Sequence, residues 1–189
     1  MIYNPEIHHR HSIRLRDYDY SQSGAYFVTI CSWNRKCLFG EIVNGNMLLN
    51  EFGQIVKNEW QHTGIIRLNV ELDVFVIMPN HMHGILIIVD DNNNRRGVLQ
   101  YAPTIKSSFK SPSKTIGAII RGFKSSTTKQ INQFRNTPGI PVWQRNYYEH
   151  IIRNDKELTR TREYIINNPL QWQSDENNPM NLKGLGYGG

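Results

Sequence analysis

The run Leu68-Asn69-Val70-Glu71-Leu72-Asp73-Val74-Phe75-Val76-Ile77, followed by Met78-Pro79-Asn80-His81-Met82-His83-Gly84-Ile85-Leu86-Ile87-Ile88-Val89, decides the fold. Alternating apolar residues, then a near-continuous apolar run, with Pro-Asn between them, predict an antiparallel strand pair. Side chains alternate faces along a strand. His81 and His83 therefore share a face with Ile85 and Ile87, while Met82, Gly84, Leu86 and Ile88 line the other. A strand apolar on both faces is covered on both sides and belongs near the centre of a sheet. Two imidazoles then sit side by side at one end of a central strand, a good arrangement for ligating a metal. Alone, the pattern is short and common, and polar residues at a sheet end are its ordinary explanation.

Working outward, Ala25–Trp33 is rich in aromatic and β-branched residues and reads as a first strand. Ile42–Leu49 reads as a small hairpin turned at Asn44-Gly45. A helix follows with Asn50 as N-cap, a face of Phe52, Ile55, Val56 and Trp60, and an end at Gly64. Beyond the central pair, Asp90 to Pro112 is polar, basic and aperiodic, hence a long loop. Ser113 can cap a helix whose face is Ile116, Ile119, Ile120, Phe123, Thr127 and Ile131. Lys114, Arg121, Lys124 and Lys129 fall mostly elsewhere on its surface, free to meet phosphate. Val142–Ile152 reads as a last, irregular strand. A further helix starts near Asn154 or Asp155 and must finish at Pro169.

The order strand, helix, strand, strand, helix, strand matches a split βαβ unit. The expected fold class is α+β: a ferredoxin-like (RRM-like) antiparallel sheet with two crossover helices on one face. The extra helix, Asp155 to Asn168, is the natural cover for the other face, which would place it over His81 and His83. On that helix Tyr164 and Asn168 are four apart and share a surface. Without other signals they would be a packing residue and a C-cap.

At 189 residues the chain is long enough for one domain with a proper core. Residues 1–23 read as a basic arm carrying His8, His9, His11, Arg10, Arg14 and Arg16, residues 24–172 as the domain, and 173–189 as a polar, Gly-rich tail. Cys31 and Cys37 are too few and too spaced for a zinc knuckle or a disulfide framework, and read as reduced thiols. No signal peptide or run of 18 apolar residues occurs, so the expectation is a soluble cytoplasmic protein without a membrane partner. The net charge of +6 is unevenly placed. From Asn92 to Tyr148 no Asp or Glu interrupts the Lys and Arg residues, which points to a polyanion, with nucleic acid the leading candidate.

The His81-Met82-His83 strand after Met78-Pro79-Asn80 resembles the His-hydrophobic-His motif of single-tyrosine transposases. So does the ordered series Trp143-Gln144-Arg145, Glu149-His150-Ile151-Ile152-Arg153-Asn154, Tyr164-Ile165 and Asn168-Pro169. The similarity covers roughly Tyr26 to Trp172 and looks closest to the REP-associated tyrosine transposase branch, related to short insertion-sequence transposases. The loop after Asp90 has no counterpart in it.

This resemblance implies that His81, His83 and Asn168 ligate a divalent metal, Mg²⁺ or Mn²⁺, and that Tyr164 is the nucleophile. Relatives often carry Gln at the third ligand position, and Asn is shorter. The implied activity is cleavage and rejoining of single-stranded or hairpin DNA through a 5′-phosphotyrosine. Lys114, Arg121, Lys124 and Arg145 are the candidate DNA-backbone contacts. Trp33, Trp143, Tyr147 and Phe109 are candidates for base stacking. Tyr147 and Tyr148, on the last strand, are the minor alternative nucleophiles. A homodimer that exchanges the tyrosine helix and a monomer are both open. The rival classes are a non-catalytic nucleic-acid-binding module on the same sheet and a zinc hydrolase. The second lacks an acidic third ligand at convincing spacing.

Overall fold

A computed structural model describes residues 22–89 and 115–182. Most of the expected basic arm, the loop after Val89 with Phe109, Ser113 and Lys114, and residues 183–189 lie outside the described residues. In chain order the elements are β1 (Gly24–Cys31), the hairpin β2 (Gly40–Val43) and β3 (Asn46–Leu49), and α1 (Glu51–Ile66). They continue with β4 (Val70–Ile77), β5 (His81–Ile88), α2 (Ile116–Phe134), β6 (Tyr148–Ile152) and α3 (Asp155–Asn167). A 3-10 segment, Asn168–Ser174, and a short helix α4 (Pro179–Leu182) follow.

The main sheet has the order β4-β5-β1-β6 and is antiparallel throughout. With the β2–β3 hairpin set aside, this is the strand order of the ferredoxin-like fold, and β5 is an inner strand as its two apolar faces require. On one face Tyr26, Val28 and Ile30 of β1 and Met82, Leu86 and Ile88 of β5 pack with Val56 and Trp60 of α1 and Ile116, Ile119, Ile120 and Phe123 of α2. On the other, Ala25, Ile85 and Ile152 pack with Leu158 and Ile165 of α3, joined by Phe27, Val74, Val76 and Ile87. The expected layers, two helices on one side and the last helix on the other, are those observed.

Local chemistry accounts for most boundaries. Asn44 and Gly45 both have positive φ, 51° and 75°, as a tight two-residue hairpin turn demands. Asn50 caps α1 by accepting from Gly53 N at 3.0 Å. The helix does not stop at Gly64 but runs to Ile66. A Cβ at Gly64 would sit 3.1 Å from Leu72 Cγ, so this glycine serves close packing of helix on strand rather than termination. β4 starts at Val70, not Leu68, which is almost fully exposed in the turn before it. Thr115 caps α2 through Ala118 N. Of the expected strand Val142–Ile152, only the second half joins the ladder; the first half touches it at the isolated Ser32–Trp143 bridge. Cys31 ends β1 and Cys37 is exposed, both free.

Residues 173–182, expected as part of a tail, fold back onto the domain. Asn177 and Asn178 are buried. Asn80 Nδ2 donates to Asn177 O at 2.7 Å, and Arg35 Nη1 donates to Asn177 Oδ1 at 3.0 Å. The segment has no apolar periodicity because polar hydrogen bonds, not a hydrophobic stripe, hold it in place.

Candidate metal and tyrosine site

His81 and His83 lie where β5 begins, on the α3 face, and both are essentially buried. Their Nε2 atoms are 3.1 Å apart. The opposite ring nitrogen of each is held. Asn80 uses Nδ2 to donate to Arg35 O at 2.9 Å and Asn177 O at 2.7 Å, so its Oδ1 faces His81 as an acceptor. His81 Nδ1–H therefore donates to Asn80 Oδ1 at 2.8 Å, which leaves the Nε2 lone pair directed at His83. His83 Nδ1 shares a hydrogen bond with Thr29 Oγ1, also 2.8 Å. Fixing one ring nitrogen so that the other is presented is the usual support of a metal-ligating histidine.

Helix α3 is placed by few but specific contacts. Asn154 caps it by accepting from Glu157 N at 2.9 Å, and Glu157 reaches back to accept from Arg153 N at 2.8 Å. Leu158 and Ile165, two turns apart, are its buried anchors. Arg162 donates twice to Asp73 Oδ2, at 2.9 and 2.6 Å, tying the helix to β4. Tyr164 then lies beside the histidines. Its hydroxyl is 3.3 Å from His83 Nε2, and its ring is edge-on to His83 and to Phe27, at 5.1 and 6.0 Å between centroids.

The residue after the helix, Asn168, keeps a right-handed helical conformation (φ −57°, ψ −40°) although Pro169 follows. The four-residue spacing from Tyr164 therefore survives. Asn168 is buried beside His81 and Tyr164, and its Oδ1 has no hydrogen-bond partner. Past the 3-10 segment, Asp175 Oδ2 lies 3.8 Å from His81 Nε2. Asp175 Oδ1 accepts from Asn177 N at 2.6 Å, which orients the carboxylate. Ligand atoms of His81, His83 and Asp175 fall within 4.8 Å of one another.

The electrostatics follow from this enclosure. Burial drives the pKa of His81 down to about 4, with Arg35 pushing the same way and Asp175 opposing. Burial, then the neighbouring His81, holds His83 well below the usual imidazole range. Both rings are thus neutral near pH 7, as metal ligands must be. Burial raises the Tyr164 phenol, and the Asp175 and Glu176 carboxylates raise it further.

The donor set fits a divalent cation. Two neutral imidazole nitrogens converge, a buried amide oxygen lacks a partner, and a carboxylate adjoins them. Asp175 is the residue of this cluster to which sequence reading assigned no role: no acidic third ligand stood at convincing spacing, yet the fold brings this carboxylate to the histidine pair. Asn80 and Thr29 were in view in their strands but without a role.

The other expected site residues are more scattered. Arg121 and Arg145 are exposed, the first on α2 and the second in the irregular stretch before β6. Lys124 turns inward rather than towards solvent; its ammonium donates to Gln144 O and, at 3.0 Å, to Arg145 O, pinning that stretch to α2. Trp143 is buried and donates through Nε1 to Thr127 Oγ1, so it is a core residue. Trp33 is partly exposed. Tyr147 donates its hydroxyl to Glu149 Oε2. Lys114 and Phe109 lie outside the described residues.

The site thus joins a tyrosine on a helix to a histidine pair on a central strand of a ferredoxin-like sheet. Comparisons with known proteins find relatives of this chain. A Haemophilus influenzae protein without assigned function is 44% identical over 174 residues, spanning 92% of this chain and 96% of the relative. A second protein from that organism, described as "Putative REP-associated tyrosine transposase", is 26% identical over 154 residues, 81% of this chain and 74% of the relative. Among solved structures, a REP-associated tyrosine transposase bound to a REP hairpin has the same fold, with a TM-score of 0.52 at 20% identity over 85% of this chain and 74% of that one. No family model matches. The chain is thus similar, in sequence at 26% identity and in fold, to REP-associated tyrosine transposases. Among the described residues no helix is long and apolar enough to cross a membrane.

Proposed function

We propose that the protein is a metal-dependent, single-tyrosine endonuclease and strand transferase acting on single-stranded or hairpin DNA. The observation that carries this reading is the placement of the Tyr164 hydroxyl 3.3 Å from a histidine whose Nε2 adjoins that of His81. The sequence similarity to a protein described as a putative REP-associated tyrosine transposase and the hairpin-bound structural relative support the choice of substrate.

His81, His83, Asn168 and Asp175 would hold Mg²⁺ or Mn²⁺. When bound, the ion supplies charge stabilisation for the phosphate and the departing oxygen. The chain's own residues do the rest. Asn80 and Thr29 hold the imidazoles with their Nε2 atoms inward. Leu158, Ile165 and the Arg162–Asp73 pair hold α3 so that Tyr164 reaches the same point. The tyrosine oxygen attacks phosphorus and the P–O3′ bond breaks. A 5′-phosphotyrosine and a free 3′-hydroxyl form, with the phenolic proton replaced on the departing oxygen through solvent. A second 3′-hydroxyl reverses the step and joins strands, since the phosphotyrosine keeps the ester bond.

The test uses hairpin oligonucleotides labelled at either end, incubated with Mg²⁺, Mn²⁺ or EDTA and run on a denaturing gel. A protein-linked product carrying the 3′ segment is expected with metal, and neither with EDTA nor with Tyr164→Phe. Binding without any adduct across a broad hairpin pool would instead make the chain a nucleic-acid-binding module.

A further inference from the structure

Beside Tyr164 the site face of the sheet stays open, and a second tyrosine lies on that opening. Register places Tyr148, Thr29 and His83 in one row across β6, β1 and β5, since Thr29 pairs with both. Thr29 and His83 meet on the α3 face. Tyr148 shares this face, because Ile152, four residues on along β6, packs under α3. The anchors of α3 cover the sheet from Ala25 and Ile152 to Val74 and Val76, but β6 is an edge strand and its Tyr148 end is not covered. Tyr148 is 47% exposed and Tyr164 43%, while Ala25, His81, His83, Ile85 and Ile152 on the same sheet face are buried. Both rings stand edge-on to Phe27, at 6.2 and 6.0 Å, while Phe27 itself stacks on His83 at 5.4 Å.

We propose that Tyr148, backed by Phe27, is a stacking platform for an unpaired base next to the phosphate that Tyr164 attacks. The reading rests on the single-stranded DNA substrate proposed above. An aromatic ring packed edge-on against another is rigid, so it can take a base on its free face with little loss of side-chain entropy. The charge nearby is complementary to the partner. The exposed Arg145 lies three residues before Tyr148, and no acidic residue occurs between Asn92 and Tyr148. A role as a second nucleophile is the less natural use of Tyr148, since the histidine pair meets the hydroxyl of Tyr164 instead.

The experiment uses the full chain carrying Tyr164→Phe, in EDTA, so that binding is read without cleavage. The probe is a hairpin with an unpaired flank in which single positions carry 2-aminopurine. One labelled position is expected to be quenched on binding. Tyr148→Ala is expected to abolish that quenching and weaken binding roughly tenfold. Tyr148→Phe and Tyr148→Trp, which keep a ring, are expected to retain both. Because Tyr148 is half exposed, melting curves should coincide across the set. If the probe binds equally to Tyr148→Ala and the same position stays quenched, the platform is wrong while the DNA-binding reading stands. If no variant, nor the parent, binds any hairpin, both are wrong. If Tyr148→Phe fails like Tyr148→Ala, the hydroxyl rather than the ring matters, and stacking is overturned.

Discussion

At the scale of single residues, the candidate site depends on hydrogen bonds that orient groups more than on the groups themselves. Asn80 is fully buried and its amide is spoken for on three sides, by two backbone carbonyls and by His81 Nδ1. Its removal should release the His81 ring and leave two carbonyls without that donor. Asn80→Ala is therefore expected to lower Mn²⁺ affinity by about 10–100-fold in calorimetric titration of the Tyr164→Phe protein. Asp175→Asn removes the carboxylate that faces the histidine pair and should also weaken Mn²⁺, while its amide can still accept from Asn177 N. Unchanged affinity in that variant would remove Asp175 from the ligand set. Periods of two along a strand and four along a helix put His81 with His83 and Tyr164 with Asn168 on shared surfaces, but their roles in the candidate site came from the family resemblance and not from the spacing. Asp175 could not be read from the sequence, because it stands in a segment placed by long-range contacts, Asn80 to Asn177 and Arg35 to Asn177, that no local pattern announces.

At the scale of elements, the sheet is tightly specified and α3 is lightly held. Gly84 faces the two-helix side, where a Cβ would come within 2.7 Å of Trp60 Cζ2, and Trp60 has no exposed surface into which to move. Gly84→Val should cost about 1–3 kcal/mol by overpacking, visible as a fall in melting temperature. A melt at the parental temperature would mean that Trp60 can shift freely. α3 behaves differently: two apolar anchors, the Arg162–Asp73 pair and the Glu157–His150 contact to β6 hold it. Asp73→Asn leaves the core untouched, and the lost pairing with half-exposed Arg162 is worth at most about 1 kcal/mol. The melt should barely move, but formation of the covalent adduct should slow, because the tyrosine then samples more positions relative to His83. Equal adduct rates would show that the ion pair does not position Tyr164. The elements themselves were largely legible, since apolar periodicity and caps such as Asn50 and Asn154 are local signals. The end of α1 was not, because Gly64 is there for its neighbour Leu72 and not for its own backbone freedom.

At the scale of the whole molecule, the strand order brings residues from β5, α3 and the closing segment to one end of the sheet, and all of them belong to one chain. A mixture of Tyr164→Phe and His81→Ala proteins is accordingly expected to form no adduct, because neither chain holds both halves of the site. Recovery of activity in the mixture would mean that α3 is exchanged between subunits. The basic surface is thinner than the sequence suggested, since Lys124 is used to pin the stretch before β6. A charge count sees a cation but not its carbonyl partners. The central claim is that Tyr164 is the residue that becomes joined to DNA, and the most direct measurement is to locate the bond. After reaction with a hairpin oligonucleotide and Mn²⁺, nuclease trimming and trypsin digestion, mass spectrometry should find the residual 5′-phosphonucleotide on the peptide spanning residues 163–183, which contains Tyr164. Its appearance on the peptide spanning residues 146–153, which carries Tyr147 and Tyr148, would contradict the account.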